Sequence, residues 1–330
     1  MAILATERVL TLDYWKPAAK VQVGDYVFDR KGKPVKVTMV QEYRAQHCYE
    51  VTFKDLLTVS GDSHLTFATE NVKYRKRIRS YKGVQQFRRP LREVTIQTLV
   101  DGPIKAPHGE WIYSIPTTDP LQLPHQDLPV PPFVFGFWFF NRSPKKLLHV
   151  TKESYPEIAA RLKDNGYIPK IVRDHINRPT YFTLEPSVEQ QLLPFIPAQI
   201  PNNYLMGSIE QRVELLSGVM NSHPVRYNPK KDKFMFSHKL KGMSTRVQHL
   251  AESLGSKTTL TLYKFRNTFR LTFKTNFKLV QNQEPKPVKV HHNRRQIIAV
   301  TPIAPQLCVH IETDGEDGTF LVGEGYIACL

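Results

Sequence analysis

The chain has 330 residues, with 46 Lys and Arg against 30 Asp and Glu, for a formal charge of +16 at pH 7. That length buries a sizeable core and predicts two domains, or one domain carrying an insertion, while the charge points to a polyanion partner with nucleic acid as the leading candidate. The longest apolar run is too short to span a bilayer and the start lacks a charged-then-apolar leader pattern, so a cytoplasmic protein with no membrane partner is expected.

The first hundred residues predict short strands. Ala5 to Thr11, Trp15 to Pro17 and Val23 to Asp29 are separated by turns, and Val35 to Val40 and Tyr49 to Phe53 follow the turn at Arg30-Lys31-Gly32-Lys33-Pro34. Leu57 to Phe67 reads as a further strand, interrupted by the polar bend Gly61-Asp62-Ser63-His64. From Glu70 to Arg92 nine Lys or Arg (Lys73, Arg75, Lys76, Arg77, Arg79, Lys82, Arg88, Arg89 and Arg92) stand against one acid, with Tyr74, Tyr81 and Phe87 between them. A charge run is often only a solvated face, but interleaved aromatics in a very basic chain favour a phosphate-contacting arm. Prolines 116, 120, 124, 129, 131 and 132 then mark an extended connection.

Pro131 to Ser143 is almost wholly apolar for nine residues after its prolines and predicts a buried helix. Glu214 to Pro224 predicts a second one, and the pair can pack against each other where Gly136 and Gly218 let backbones approach. Between Leu147 and Leu279 the pattern is α/β. Tyr155 to Asn165 predicts an amphipathic helix, Val172 and Thr180 to Leu184 strands, and Val188 to Leu193 a short helix. A hairpin follows around Asn228 to Asp232, then a helix from about Met243 to Leu254, then Thr259 to Phe265 and Phe269 to Phe273, alternating with period two. Helix, strands, helix, strands occurs twice. From Arg226 to Lys278 thirteen Lys or Arg stand against Asp232 and Glu252, and Lys230, Lys231, Lys264, Arg266, Arg270 and Lys274 are candidate contacts to a duplex backbone. The tail returns to strands at Gln296 to Val300, Leu307 to Ile311 and Thr319 to Val322. β-rich ends bracket an α/β middle, the pattern of a domain inserted into another. The three cysteines, Cys48, Cys308 and Cys329, are odd in number without metal-ligand spacing, so free thiols and no metal site are expected of them.

Several blocks, in order, carry a resemblance. Val23 to Asp29 with Gly32 to Val37 resembles the first splicing block of inteins, Gly61 to Leu65 the block that supplies the splicing histidine, and Cys308 to Ile311 with Thr319 to Gly323 the paired C-terminal blocks. The middle resembles a LAGLIDADG homing endonuclease, with Gly136 to Asn141 and Gly218 to His223 where its two signature helices belong, and Gln199 to Pro201 with Ser208 to Leu216 like the approach to the second. The resemblance implies a mixed fold. An all-β, horseshoe-like Hint splicing domain would form from both chain ends, 1–115 and 288–330, interrupted over 116–287 by an α/β LAGLIDADG-type domain of two pseudo-symmetric αββαββ halves. It implies flanking extein segments of a host protein and double-stranded DNA as partners, and a monomer, since the two helices make an internal pseudo-dimer.

The departures matter as much. Splicing needs a thiol or hydroxyl at the first intein residue and a nearby histidine to help collapse the tetrahedral intermediate. By the family pattern the nucleophile falls at Ala2, which has none, and the histidine at His64, whose usual threonine three positions earlier is Gly61. The usual terminal His-Asn is missing from Ala328-Cys329-Leu330. Either the chain stops short of the asparagine, or Ala328 replaces it and Cys329 is the first downstream nucleophile. Cys308 is a candidate internal nucleophile or, alternatively, a buried structural thiol. Asn141 and His223 stand where the nuclease acids that hold divalent cations belong. Neutral Asn and His are poor substitutes at a magnesium site, so Mg2+ is expected only if nuclease activity persists, and splicing itself needs no cofactor. The expected function is an intein with a DNA-binding, cleavage-deficient endonuclease domain, unable to splice as written. The alternative is a DNA-binding protein that retains the nuclease scaffold without autoprocessing.

Overall fold

The computed structural model describes residues 2–72, 91–141, 147–174, 179–184, 190, 199–222, 226–281, 283 and 294–330, with the side chain of Arg226 also outside the description. The chain divides into two units, Met1–Gln122 with Lys289–Leu330, and Leu123–Val288. The first boundary follows Gln122 because the proline-rich connection is fastened to the β unit. Asp119 N–H donates to Arg30 O at 3.2 Å, Gln122 N–H to Gly32 O at 2.7 Å and Thr118 Oγ1 to Tyr326 O at 2.9 Å.

In the first unit the chain lays down β1 (Ile3–Leu4), β2 (Arg8–Thr11), β3 (Tyr14–Pro17), β4 (Tyr26–Phe28), β5 (Pro34–Ala45), β6 (Cys48–Phe53), β7 (Thr58–Asp62), β8 (Thr66–Asn71) and β9 (Arg92–Thr95). A helix that the sequence pattern does not separate from the strands, α1 (Ile96–Asp101), starts on Thr95, whose side chain accepts from Thr98 N–H. β10 (Tyr113–Pro116) closes the first stretch.

The tail returns as β18 (Arg294–Ile303), β19 (Gln306–Thr313), β20 (Phe320–Val322) and β21 (Ile327–Cys329), which join the same sheet, of fourteen strands among the described residues. Its hydrogen-bonded path runs β10-β18-β6-β7-β1-β19-β5-β4-β2-β20-β21-β8 and returns from β8 to β10. Tail strands are set between runs of head strands along it, so neither end of the chain makes this sheet alone. Side chains of a strand point alternately to opposite faces. Ile3 and Val309, paired across β1 and β19, therefore enter the main core with Val51, Phe53 and Phe67. Leu4 and Cys308, the next pair, enter a separate small cluster with Ala2, Ala45 and Cys48.

The second unit holds α2 (Pro132–Asn141), β11 (Leu148–Val150), α3 (Tyr155–Asp164), β12 (Lys170–Arg173) and β13 (Thr180–Thr183), with a short α4 (Asn202–Leu205). A second succession follows as α5 (Ile209–Met220), β14 (Arg226–Asn228), β15 (Lys233–His238), α6 (Lys241–Glu252), β16 (Thr258–Tyr263) and β17 (Thr268–Phe273). The later half has the αββαββ order expected. Among the described residues the earlier half has one strand between its helices, in a three-stranded sheet ordered β11-β13-β12. α5 begins five residues before the apolar run at Glu214, because Ser208 and Gln211 form a capping box at its start. The helix expected over Val188 to Leu193 lies outside the described residues but for Gln190.

α2 and α5 pack at their glycines. A Cβ on Gly136 would stand 2.5 Å from Leu215 O, and one on Gly218 would collide with Phe133 O and lie 2.8 Å from Phe137 N. Only a hydrogen at each position lets the two backbones come this close.

Candidate functional site

The small cluster at the start of the chain is built by three strand pairings. β1 runs between β7 and β19, and β7 also pairs with β6. This brings residues from four distant stretches to the amide that joins Ala2 to its predecessor. Ala2 N–H donates to Asp62 Oδ1 at 3.0 Å, and Asp62 N–H donates back to Ala2 O at 2.9 Å. A Cβ on Gly61 would collide with Ala2 O, so glycine is what admits the N-terminal strand here. The other oxygen, Asp62 Oδ2, accepts from Tyr43 Oη at 2.5 Å, and Tyr43 lies opposite Cys308 in the β5–β19 pairing. Ala2, Asp62 and Cys308 are all buried.

Cys308 Sγ lies 3.9 Å from Cys48 Sγ, and both thiols are free. Burial pushes the Cys308 thiol up to about 12, reinforced by Cys48 and by the charge of Asp62. Burial and the bond to Asp62 likewise raise the Tyr43 hydroxyl above its ordinary value. A thiol in this state is a poor nucleophile until something removes its proton.

His64 reaches the same place through its backbone only. Its N–H donates to Asp62 Oδ1 at 3.1 Å, while its side chain is exposed. Cys329 lies apart, wholly buried in the main core on β21, with its thiol held well above the ordinary value by burial and by the charge of Glu7. Leu330 N–H continues the ladder beyond it, donating to Thr66 O at 3.0 Å.

In the second unit Asn141 ends α2 and is 3% exposed. Its Nδ2 donates to His149 O at 2.8 Å and its Oδ1 accepts from His149 N–H at 3.0 Å. Among the described residues β11 is an edge strand, paired on one side with β13, and the Asn141 amide takes the place of a neighbour for one residue of it. An aspartate has no N–H and cannot make this two-point clasp. Phe140 beside it packs edge-on against Phe236, with ring centroids 5.3 Å apart. His223 lies outside the described residues.

The four-stranded sheet, ordered β14-β15-β17-β16, buries Phe234, Phe236, Leu271 and Phe273 on one face against α6. The registers place Thr259, Thr261, Tyr263, Thr268, Arg270 and Thr272 on the other. Arg270 lies within that face, its guanidinium carbon 4.0 Å from the Tyr263 ring centre. Lys264 and Arg266 are exposed in the turn between β16 and β17, Lys274 follows β17, and Lys230 and Lys231 are exposed in the β14–β15 turn. The expected cations Lys73, Arg75, Lys76, Arg77, Arg79, Arg88 and Arg89 lie outside the described residues.

No protein-family profile matches the chain. In sequence it is 25% identical over 214 residues to the replicative DNA helicase DnaB of Mycobacterium intracellulare, a match taking in 63% of this chain and 35% of the helicase. The chain thus spans about a third of the length of that curated relative. Among solved structures, the MchDnaB-1 intein is 26% identical with a TM-score of 0.20, covering 21% of this chain and 53% of its own. The gp41-1 intein is 16% identical, TM-score 0.23, covering 34% and 73%. The homing endonuclease I-DmoI, in complex with DNA and Mn, is 8% identical, TM-score 0.33, covering 44% and 89%. The chain resembles inteins.

The intein-like reading of the sequence singles out Ala2, His64 and Cys308 but not Asp62, Tyr43 or Cys48. Asp62 meets Ala2 across sixty residues and Cys48 meets Cys308 across 260, through pairings that no local pattern announces. One signal was available, the isolated glycine in the apolar run before Asp62, since glycine inside a strand marks a close backbone approach.

Proposed function

We propose that this chain is an intein whose splicing unit is the β unit closed by both chain ends, and whose inserted unit binds double-stranded DNA without cutting it. The observation that carries the splicing half is the buried juxtaposition of the Ala2 amide, Asp62 and Cys308 at the start of the sheet. With no nucleophilic atom at Ala2, this reading gives the attack on the preceding carbonyl to Cys308, which shares a buried cluster with Ala2. A match to only 35% of a replicative helicase is what an intervening element, alone or with a host fragment, would give. The test fuses a reporter protein ahead of Ala2 and treats the purified chain with hydroxylamine. Release of the reporter, abolished in Cys308→Ala, is expected; a wild-type chain that releases nothing would sink the splicing reading.

DNA binding rests on charge. Lys264, Arg266, Arg270 and Lys274 lie on or beside one open sheet face in a chain of +16. Replacing all four by Ala should weaken duplex binding and reduce the slope of log K against log salt by up to about 4, at about 0.9 for each phosphate no longer neutralised. An unchanged slope in gel shifts over a salt series would refute that surface. Absence of cleavage rests on Asn141, whose amide is occupied by His149 and brings no charge for a cation. The second reading, DNA binding without autoprocessing, is favoured by the exposed His64 side chain, and hydroxylamine separates the two.

A further inference from the structure

We infer that Asp62 is the proton-transfer residue for the peptide bond preceding Ala2, carrying the proton from the Cys308 thiol to the Ala2 nitrogen. This rests on the splicing reading above. The family pattern gives the proton work to His64, yet the group hydrogen-bonded to the amide nitrogen is Asp62, through Oδ1 at 3.0 Å, while the His64 side chain is exposed.

The surroundings suit the role. Asp62 is 3% exposed, and the nearby cluster of Ala2, Leu4, Ala45, Cys48 and Cys308 is apolar apart from its two thiols. Tyr43, hydrogen-bonded to Asp62 Oδ2, is the register partner of Cys308, which brings the carboxylate near the thiol, where its charge opposes ionisation. A carboxylate that disfavours a thiolate beside it is a base for the thiol proton once sulfur begins to bond to carbon. In the step itself the Cys308 sulfur forms a bond to the carbonyl carbon preceding Ala2, and the S–H proton passes to Asp62. The tetrahedral intermediate then collapses, the C–N bond breaks with its electron pair going to the Ala2 nitrogen, and Asp62 returns the proton to that nitrogen. The products are a thioester on Cys308 and a free amine on Ala2. The reaction is an isomerisation needing no other reactant. Tyr43, donating to Oδ2 at 2.5 Å, and the two backbone amides on Oδ1 fix the carboxylate in place.

The experiment uses the full chain with a reporter ahead of Ala2 and follows hydroxylamine release in the wild type, Cys308→Ala, Asp62→Asn and Asp62→Glu. Asp62→Asn keeps an oxygen for both amides but takes up no proton. It is expected to slow release by about 10²–10⁴-fold, the range of a lost general acid–base, in a chain that keeps its native melting transition, and Asp62→Glu to restore part of the rate. Should Asp62→Asn lose the native melting transition, Asp62→Ser, which keeps an oxygen for the His64 amide, carries the same test. Release from Asp62→Asn as fast as from the wild type, with Cys308→Ala inactive, would overturn the assignment and leave the splicing reading standing. No release from the wild type, or full release from Cys308→Ala, would overturn both.

Discussion

Asn141 ends α2 and spends both ends of its amide on the backbone of a single residue, His149. Asn141→Asp is therefore not a simple restoration of an acid. It removes the donor to His149 O and sets a carboxylate oxygen against that carbonyl in a buried place. The expected loss is about 1–3 kcal/mol, the penalty of an unsatisfied buried group, read as a lower urea midpoint at unchanged m-value. No magnesium-dependent cutting is expected to accompany it. A second residue gives a pH test. His238 stacks on Phe236, with centroids 6.2 Å apart, and burial holds its pKa below the ordinary 6.5. A base depressed on folding contributes stability that is present in full above its unfolded pKa and is lost as pH falls through the folded one. Melting temperature should therefore drop on acidification below pH 6.5, and His238→Phe should flatten that dependence.

Among the elements, the α2–α5 pair was the most legible in the sequence. Two apolar runs, each with an interior glycine, told where backbones would approach, and the structure puts Gly136 against Leu215 and Gly218 against Phe133. Gly218→Ala is expected to destabilise by about 1–3 kcal/mol or more through overpacking, and Gly136→Ala by less, since a Cβ at 218 meets two backbone groups more closely. Chemical denaturation of both variants checks the order. The alternating runs of β16 and β17 were legible for the same reason, one face being apolar. What stayed hidden were elements too short to show a period, such as α1 with its six residues, and every relation set by strand pairing across the chain. Asp62 and Ala2 belong to the second kind. A polar residue in a bend looks like a turn former until another strand is laid beside it.

At the scale of the molecule, the chain divides into two compact units, and the connection up to Gln122 is held by the β unit's own hydrogen bonds. Excising residues 123–288 and joining Gln122 to Lys289 through a short Gly/Ser linker should leave a β unit with one cooperative thermal transition and a β-type circular dichroism spectrum. Loss of that transition would show that the insertion supports its host. The sheet path carries one more consequence. β1 is made before the inserted unit, yet its partner β19 comes after it, Ile3 waiting for Val309. During synthesis, at roughly 5–20 residues per second, the inserted unit is complete before that partner exists. The edges of β1, β5 and β6 stay unpaired on the side they will share with the tail, open to the aggregation that exposed strand edges invite. Translation is thus the clock for closing the ring, and a chain stalled before β19 would hold a finished insertion inside an unfinished host.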